Sequence, residues 1–65
     1  MKYTIETELE TDGRYIAEIV EIPGAMSYGK TRFEAIAKAE ALALRVIADR
    51  LENEHITTEH IEFAL

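Results

Sequence analysis

Apolar and polar residues alternate almost without error from residue 3 to residue 10. Tyr3, Ile5 and Leu9 fall on one side, and Thr4, Glu6, Glu8 and Glu10 on the other. A period of two marks a strand with one buried and one wet face. Thr11-Asp12-Gly13 follows, and then a second run rich in Tyr, Ile and Val. Asp-Gly between two such runs signals a β-hairpin, so the chain is committed to an antiparallel strand pair.

The length of the connection decides which residues share a face, because a slip of one residue turns every side chain over. A two-residue Asp12-Gly13 turn sets Glu18 beside Ile5 and Leu9. A three-residue Thr11-Asp12-Gly13 loop, with Gly13 left-handed in a bulge, sets Tyr15, Ala17 and Ile19 there instead. Burying an unpaired carboxylate is costly, so the three-residue loop is expected. Glu18 then joins Glu6, Glu8 and Glu10 on the wet face, and Ile16 and Val20 are left among them.

Pro23-Gly24 interrupts the second strand, since Pro lacks a ladder donor and Gly permits positive φ. A short third strand over residues 25–28 ends at Gly29. Thr31 and Glu34 then form a T-x-x-E capping box. Residues 32–52 contain no Gly or Pro and are dominated by Ala and Leu, which predicts one long helix of about 31 Å. Glu34 with Lys38, and Arg45 with Asp49, are spaced as solvent-side ion pairs, and Asn53 is the expected stop. Residues 60–65 alternate again, with Ile61, Phe63 and Leu65 on one side, and predict a last strand.

The helix is apolar over too wide an arc. Ala35, Ala39, Leu42 and Val46 form one stripe, expected to share the core with Tyr3, Ile5, Ala17 and Ile19. Phe33, Ile36, Ala37, Leu44, Ile47, Ala48 and Leu51 form another, whereas packing on a sheet needs an arc of about 100°. The second stripe therefore calls for a partner, as do Ile16 and Val20. Ile16, Val20, Phe33, Ile36, Leu44 and Ile47 are the expected contacts of a homodimer or tetramer. Glu40, inside that second stripe, reaches an edge or an Arg of another chain and is not read as catalytic.

A domain of 65 residues buries only about 60% of its unfolded surface and is marginal without support. There are no cysteines, so disulfides and thiolate metal sites are excluded, in keeping with a reducing compartment. His55 and His60 have no acidic partners at metal-ligand spacing, so association is the remaining support. No segment resembles a secretion signal or approaches the roughly 20 apolar residues that span a bilayer, and a cytoplasmic location is expected. The net charge of −6 argues against direct nucleic-acid binding, which needs clustered Lys and Arg. It suits a basic protein partner, although acidic surfaces also simply keep small proteins soluble.

The order of these signals resembles the HicB-like antitoxin family. The residues that carry the likeness are Asp12-Gly13-Arg14-Tyr15-Ile16-Ala17-Glu18 and Ile22-Pro23-Gly24, then Gly29-Lys30-Thr31, Glu34-Ala35 and Ala41-Leu42, within residues 2–52. The resemblance implies a partial RNase H-like domain and a protein that covers a small basic mRNA-cleaving toxin of the HicA type. Members with a DNA-binding module carry it after this domain. The few residues beyond the helix here hold no Lys or Arg, so none is expected. Nuclease chemistry would need carboxylates converging from strand and helix around metal ions. The helix is expected on the face away from Glu6, Glu8, Glu10 and Glu18, and Ser27 has no base near it in sequence.

The expectation is thus an α+β fold, one β-β-β-α-β domain with strands near 2–10, 14–21, 25–28 and 60–65 and a helix near 32–52. The sheet is expected to be antiparallel with the helix on one face. The protein is expected to be no enzyme, to need no cofactor or metal, and to bind a basic protein through Glu6, Glu8, Glu10 and Glu18. A stand-alone structural oligomer is the alternative.

Overall fold

The computed structural model describes residues 1–65. Its elements are β1 (Lys2–Leu9), β2 (Tyr15–Ile19), β3 (Met26–Gly29), α1 (Arg32–Asn53) and β4 (Glu62–Ala64). This α+β order is the expected one.

The hairpin closes through the three-residue loop. Gly13 takes φ +89°, Asp12 Oδ1 accepts the Arg14 amide at 3.1 Å, and the Glu10 amide donates to the Arg14 carbonyl at 2.7 Å. Ile5 consequently pairs with Ile19, Thr7 with Ala17 and Leu9 with Tyr15 on one face. Glu6 pairs with Glu18, and Glu8 with Ile16, on the other. Glu18 stays in water, as its charge requires.

β2 leaves the ladder at Ile19. The Val20 amide still donates to the Thr4 carbonyl at 3.0 Å, but the Thr4 amide donates to a Glu21 carboxylate oxygen at 2.7 Å. The other oxygen accepts the Thr4 hydroxyl at 2.7 Å. A side chain thus replaces a strand carbonyl. These bonds, the Thr4 amide foremost, hold the Glu21 carboxyl below its ordinary pKa. Gly24, at φ +87°, turns the chain into β3 while Ile22 and Ala25 tuck into the core.

The sheet order is β3-β2-β1-β4. β3 is antiparallel to β2, with Ser27 opposite Ala17 and Met26 opposite Glu18. β4 lies parallel to β1, with Phe63 beside Tyr3 and their rings 5.6 Å apart. The sheet is therefore mixed, not antiparallel throughout. The cause is the long helix: it carries the chain back along the sheet, so the next strand enters in the direction of β1 and β3.

Small residues set the seat of α1. Its buried line is Ala35, Ala39, Ala43 and Ile47, against a sheet surface that includes Ala17 and Ala25. At Gly29 a Cβ would stand 2.6 Å from the Ala35 nitrogen, so the helix start meets β3 backbone to backbone. This corrects the expected rotation of the helix. Leu42 and Val46 lie half-buried at the rim, and Ile47, expected in an oligomer interface, is 3% exposed inside the protomer's own core. Ile36 is likewise half-buried against that core. The helix runs along β3 and β2 and hardly reaches β1.

Two local expectations also change. Thr31 Oγ1 accepts the Glu34 amide at 3.0 Å, but the Glu34 carboxylate turns outward to Lys38 Nζ at 3.0 Å, so the capping box is half made. Arg45 does not pair with Asp49. The Asn53 side-chain amide donates to Asp49 Oδ1 at 2.8 Å and to the Asp49 carbonyl at 2.9 Å. The helix runs through Asn53, Glu54 caps it, and His55 makes the left-handed turn at φ +54°. No helix is long and apolar enough to cross a membrane.

Candidate functional site

Strand pairing turns the outer sheet face, away from α1, into a grid of side chains. One row across the strands reads Glu6, Glu18, Met26, and the next reads Glu8, Ile16, Tyr28. Directly opposed side chains stand about 5 Å apart at their Cβ atoms, so Glu6 and Glu18 are forced together by the ladder itself. Glu6, Glu8, Glu18, Thr7, Ile16 and Met26 line a shallow concavity of about 390 Å³. Its rim is acidic, and Ile16 and Met26 give it an apolar floor.

No cation of the chain neutralises this rim. Glu6, Glu8 and Glu18 make no ion pair. Arg14, on the same sheet, is already engaged: its Nε is 2.7 Å from Asp12 Oδ2, and its guanidinium lies 4.3 Å over the Tyr28 ring. The Arg14 amide, and then its side chain, hold the Asp12 carboxyl below its ordinary pKa. Like charges opposed across strands destabilise by roughly 0.2–1 kcal/mol. This face therefore carries a small stability penalty that a Thr in place of either glutamate would not.

The expected residues do not all meet. Glu6, Glu8 and Glu18 come together; Glu10 is set apart at the hairpin end, half-buried, with its backbone bonded to Arg14 and Gly13. The six expected oligomer contacts divide among three places. Ile16 and Val20 lie on the outer sheet face, Phe33 and Leu44 on the outer side of the helix, and Ile36 and Ile47 against or within the core. They cannot form one surface. Met26 and Tyr28 were not anticipated, although the pairing parity of β3 with β2 fixes both on this face.

No three or more His, Asp or Glu side chains gather as a metal site, and the glutamates form a row rather than a cage. Ser27 lines a second hollow, between β3 and the helix, with Lys38, Ala41, Leu42 and Arg45. What the outer face offers chemically is charge on a rigid strand beside exposed apolar surface.

No protein-family model matches the sequence, and no solved structure matches it. The chain is similar to the UPF0150 protein Ta0767 of Thermoplasma acidophilum, at 32% identity over 63 residues, spanning 95% of this chain and 91% of that protein. On that likeness, the chain belongs to the UPF0150 family.

Proposed function

We propose that this chain is a non-enzymatic protein-binding module, an antitoxin of the HicB-like type, whose outer sheet face receives a small basic mRNA-cleaving toxin of the HicA type in the cytoplasm. The observation that carries this reading is the unneutralised Glu6–Glu18 opposition, beside Glu8 and around Ile16 and Met26. An acidic rim over an apolar floor suits Arg or Lys side chains, which lay an aliphatic stem on apolar surface and present a charged head to carboxylates. A cationic partner relieves the repulsion that the free protein bears. With a net charge of −6, the expected signature is rapid, salt-sensitive association.

One observation favours a second reading, that of a structural oligomer whose glutamates serve only to guard a strand. β4 covers β1 over Lys2–Thr4 alone, so the remainder of β1 has an open edge, and charge near an open edge discourages strand addition. The experiment that separates the two is capture of a partner from the native lysate by the wild type and by a folded Glu6→Lys, Glu8→Lys variant. The antitoxin reading expects a small basic protein, encoded beside this gene and bearing a Gly-x-His motif, held by the wild type and lost from the variant. Equal capture by both proteins at every salt concentration, or no basic partner at all, overturns it.

A further inference from the structure

We infer that the open edge of β1, from Glu6 to Leu9, takes up a short extended segment of a basic protein as an added strand, with Lys or Arg at every second position. The inference rests on the basic partner proposed above and names how that partner is held.

Hydrogen-bond parity decides which backbone groups this edge offers. The Val20 amide donates to the Thr4 carbonyl and the Glu10 amide to the Arg14 carbonyl, so Thr4, Glu6, Glu8 and Glu10 turn their backbone toward β2. The amides and carbonyls of Tyr3, Ile5, Thr7 and Leu9 therefore point the other way. β4 meets that edge only from Lys2 to Thr4, and the sheet has no other strand on that side. Thr7 and Leu9 thus present both their amides and both their carbonyls, about 7 Å apart along a rigid strand. Such a row is a template on which an extended chain completes its own hydrogen bonds.

Side chains then select the strand. The residues of an added strand stand opposite those of β1, alternately on the two faces of the sheet. On the outer face they meet Glu6 and Glu8, which have no ion-pair partner in their own chain. On the other face they meet Thr7 and Leu9. The helix hardly reaches β1, and Leu9 is 58% exposed, so that face offers uncovered apolar surface. The complementary segment therefore alternates a cation with an apolar, β-branched residue.

The same charges exclude the other occupant, a second β1. Two copies paired antiparallel about Thr7 would set Glu6 of each opposite Glu8 of the other, beside the Glu6–Glu18 opposition already in the sheet. Like charges so opposed destabilise the pair. Acidic side chains at an open edge turn away copies of the same chain and uncharged strands. A cationic strand is the one that gains from pairing.

The test is nuclear magnetic resonance of the isotope-labelled full chain with a short capped peptide of alternating lysine and valine. In the free protein the Thr7 and Leu9 amides should exchange with solvent rapidly, and those of Glu6 and Glu8 slowly. Bound peptide should slow exchange at Thr7 and Leu9. Two further peptides keep the same charge, one N-methylated at its valines and the other at its lysines. Alternate amides of a strand face opposite edges, so one of the two should bind about tenfold more weakly than the parent, through its lost backbone bonds, and the other equally well. Leu9→Pro removes an outward amide that no ladder bond uses. With its fold confirmed by circular dichroism, this variant should also bind the parent peptide about tenfold more weakly. Equal binding of the two methylated peptides, amides of Thr7 and Leu9 already slow in the free protein, or no protection there at about 1 mM peptide overturns the inference. Lysate capture judges the partner itself. A basic partner held equally by wild type and Leu9→Pro overturns strand addition and leaves the antitoxin reading standing, whereas capture of none removes that reading while the peptides still decide the edge.

Discussion

Gly29→Ala tests the seat of the helix most directly, because two opposing effects act on one methyl group. Gly29 does not lie in the left-handed region, so the substitution itself favours folding: Ala in a strand is better than Gly by roughly 0.5–1 kcal/mol, largely through the unfolded chain. Against this, the new Cβ would stand 2.6 Å from the Ala35 nitrogen, 3.0 Å from the Thr31 carbonyl oxygen and 3.0 Å from Glu34 Cβ. Two of those atoms are backbone, so the helix start must move away from β3. That separates Ala35 from the sheet and strains the Thr31–Glu34 cap bond. Overpacking of this kind costs about 1–3 kcal/mol. The net expectation is a loss of about 1–2 kcal/mol, which at 4–8 °C per kcal/mol lowers Tm by roughly 4–16 °C. Urea denaturation followed by circular dichroism, at one fixed protein concentration, measures it, with the m-value unchanged. A Gly29→Ala protein as stable as wild type, or more so, would show that the helix does not rest backbone to backbone on β3.

Other substitutions probe the remaining contacts. Ile19→Ala, which opens a fully buried position, should cost about 2–5 kcal/mol; Leu42→Ala, half-buried at the rim, should cost about 1–2 kcal/mol, and a reversed order in urea would contradict the helix rotation. Glu18→Thr, which removes the charge opposite Glu6, should raise stability by roughly 0.2–1 kcal/mol while weakening capture of a basic partner; a destabilised variant would refute the opposition. Glu21 has a folded pKa below its ordinary 4.5, so its contribution is present above that pH and is lost as pH falls through the lowered value. Acid titration of stability should therefore be shallower in Glu21→Gln than in wild type below about pH 5, and parallel curves would remove Glu21 from that role.

What could be read in the sequence was whatever a large energy decides. The hairpin register follows from keeping Glu18 in water, and the helix from its long run without Gly or Pro. The rotation of the helix was not legible, because apolar patterns weigh Leu42 and Val46 above alanine. The close approach that Gly29, Ala17 and Ala25 permit instead rewards Ala35, Ala39 and Ala43, whose value is their smallness. The direction of β4 was equally hidden, since alternation through Ile61, Phe63 and Leu65 reads the same in either sense. The Arg45–Asp49 pair lost to Asn53, a shorter amide that reaches both the carboxylate and the carbonyl of Asp49. On the outer face the three glutamates were visible, but Met26 and Tyr28 were not. Their side of the sheet depends on how many residues the Ile22–Ala25 turn consumes.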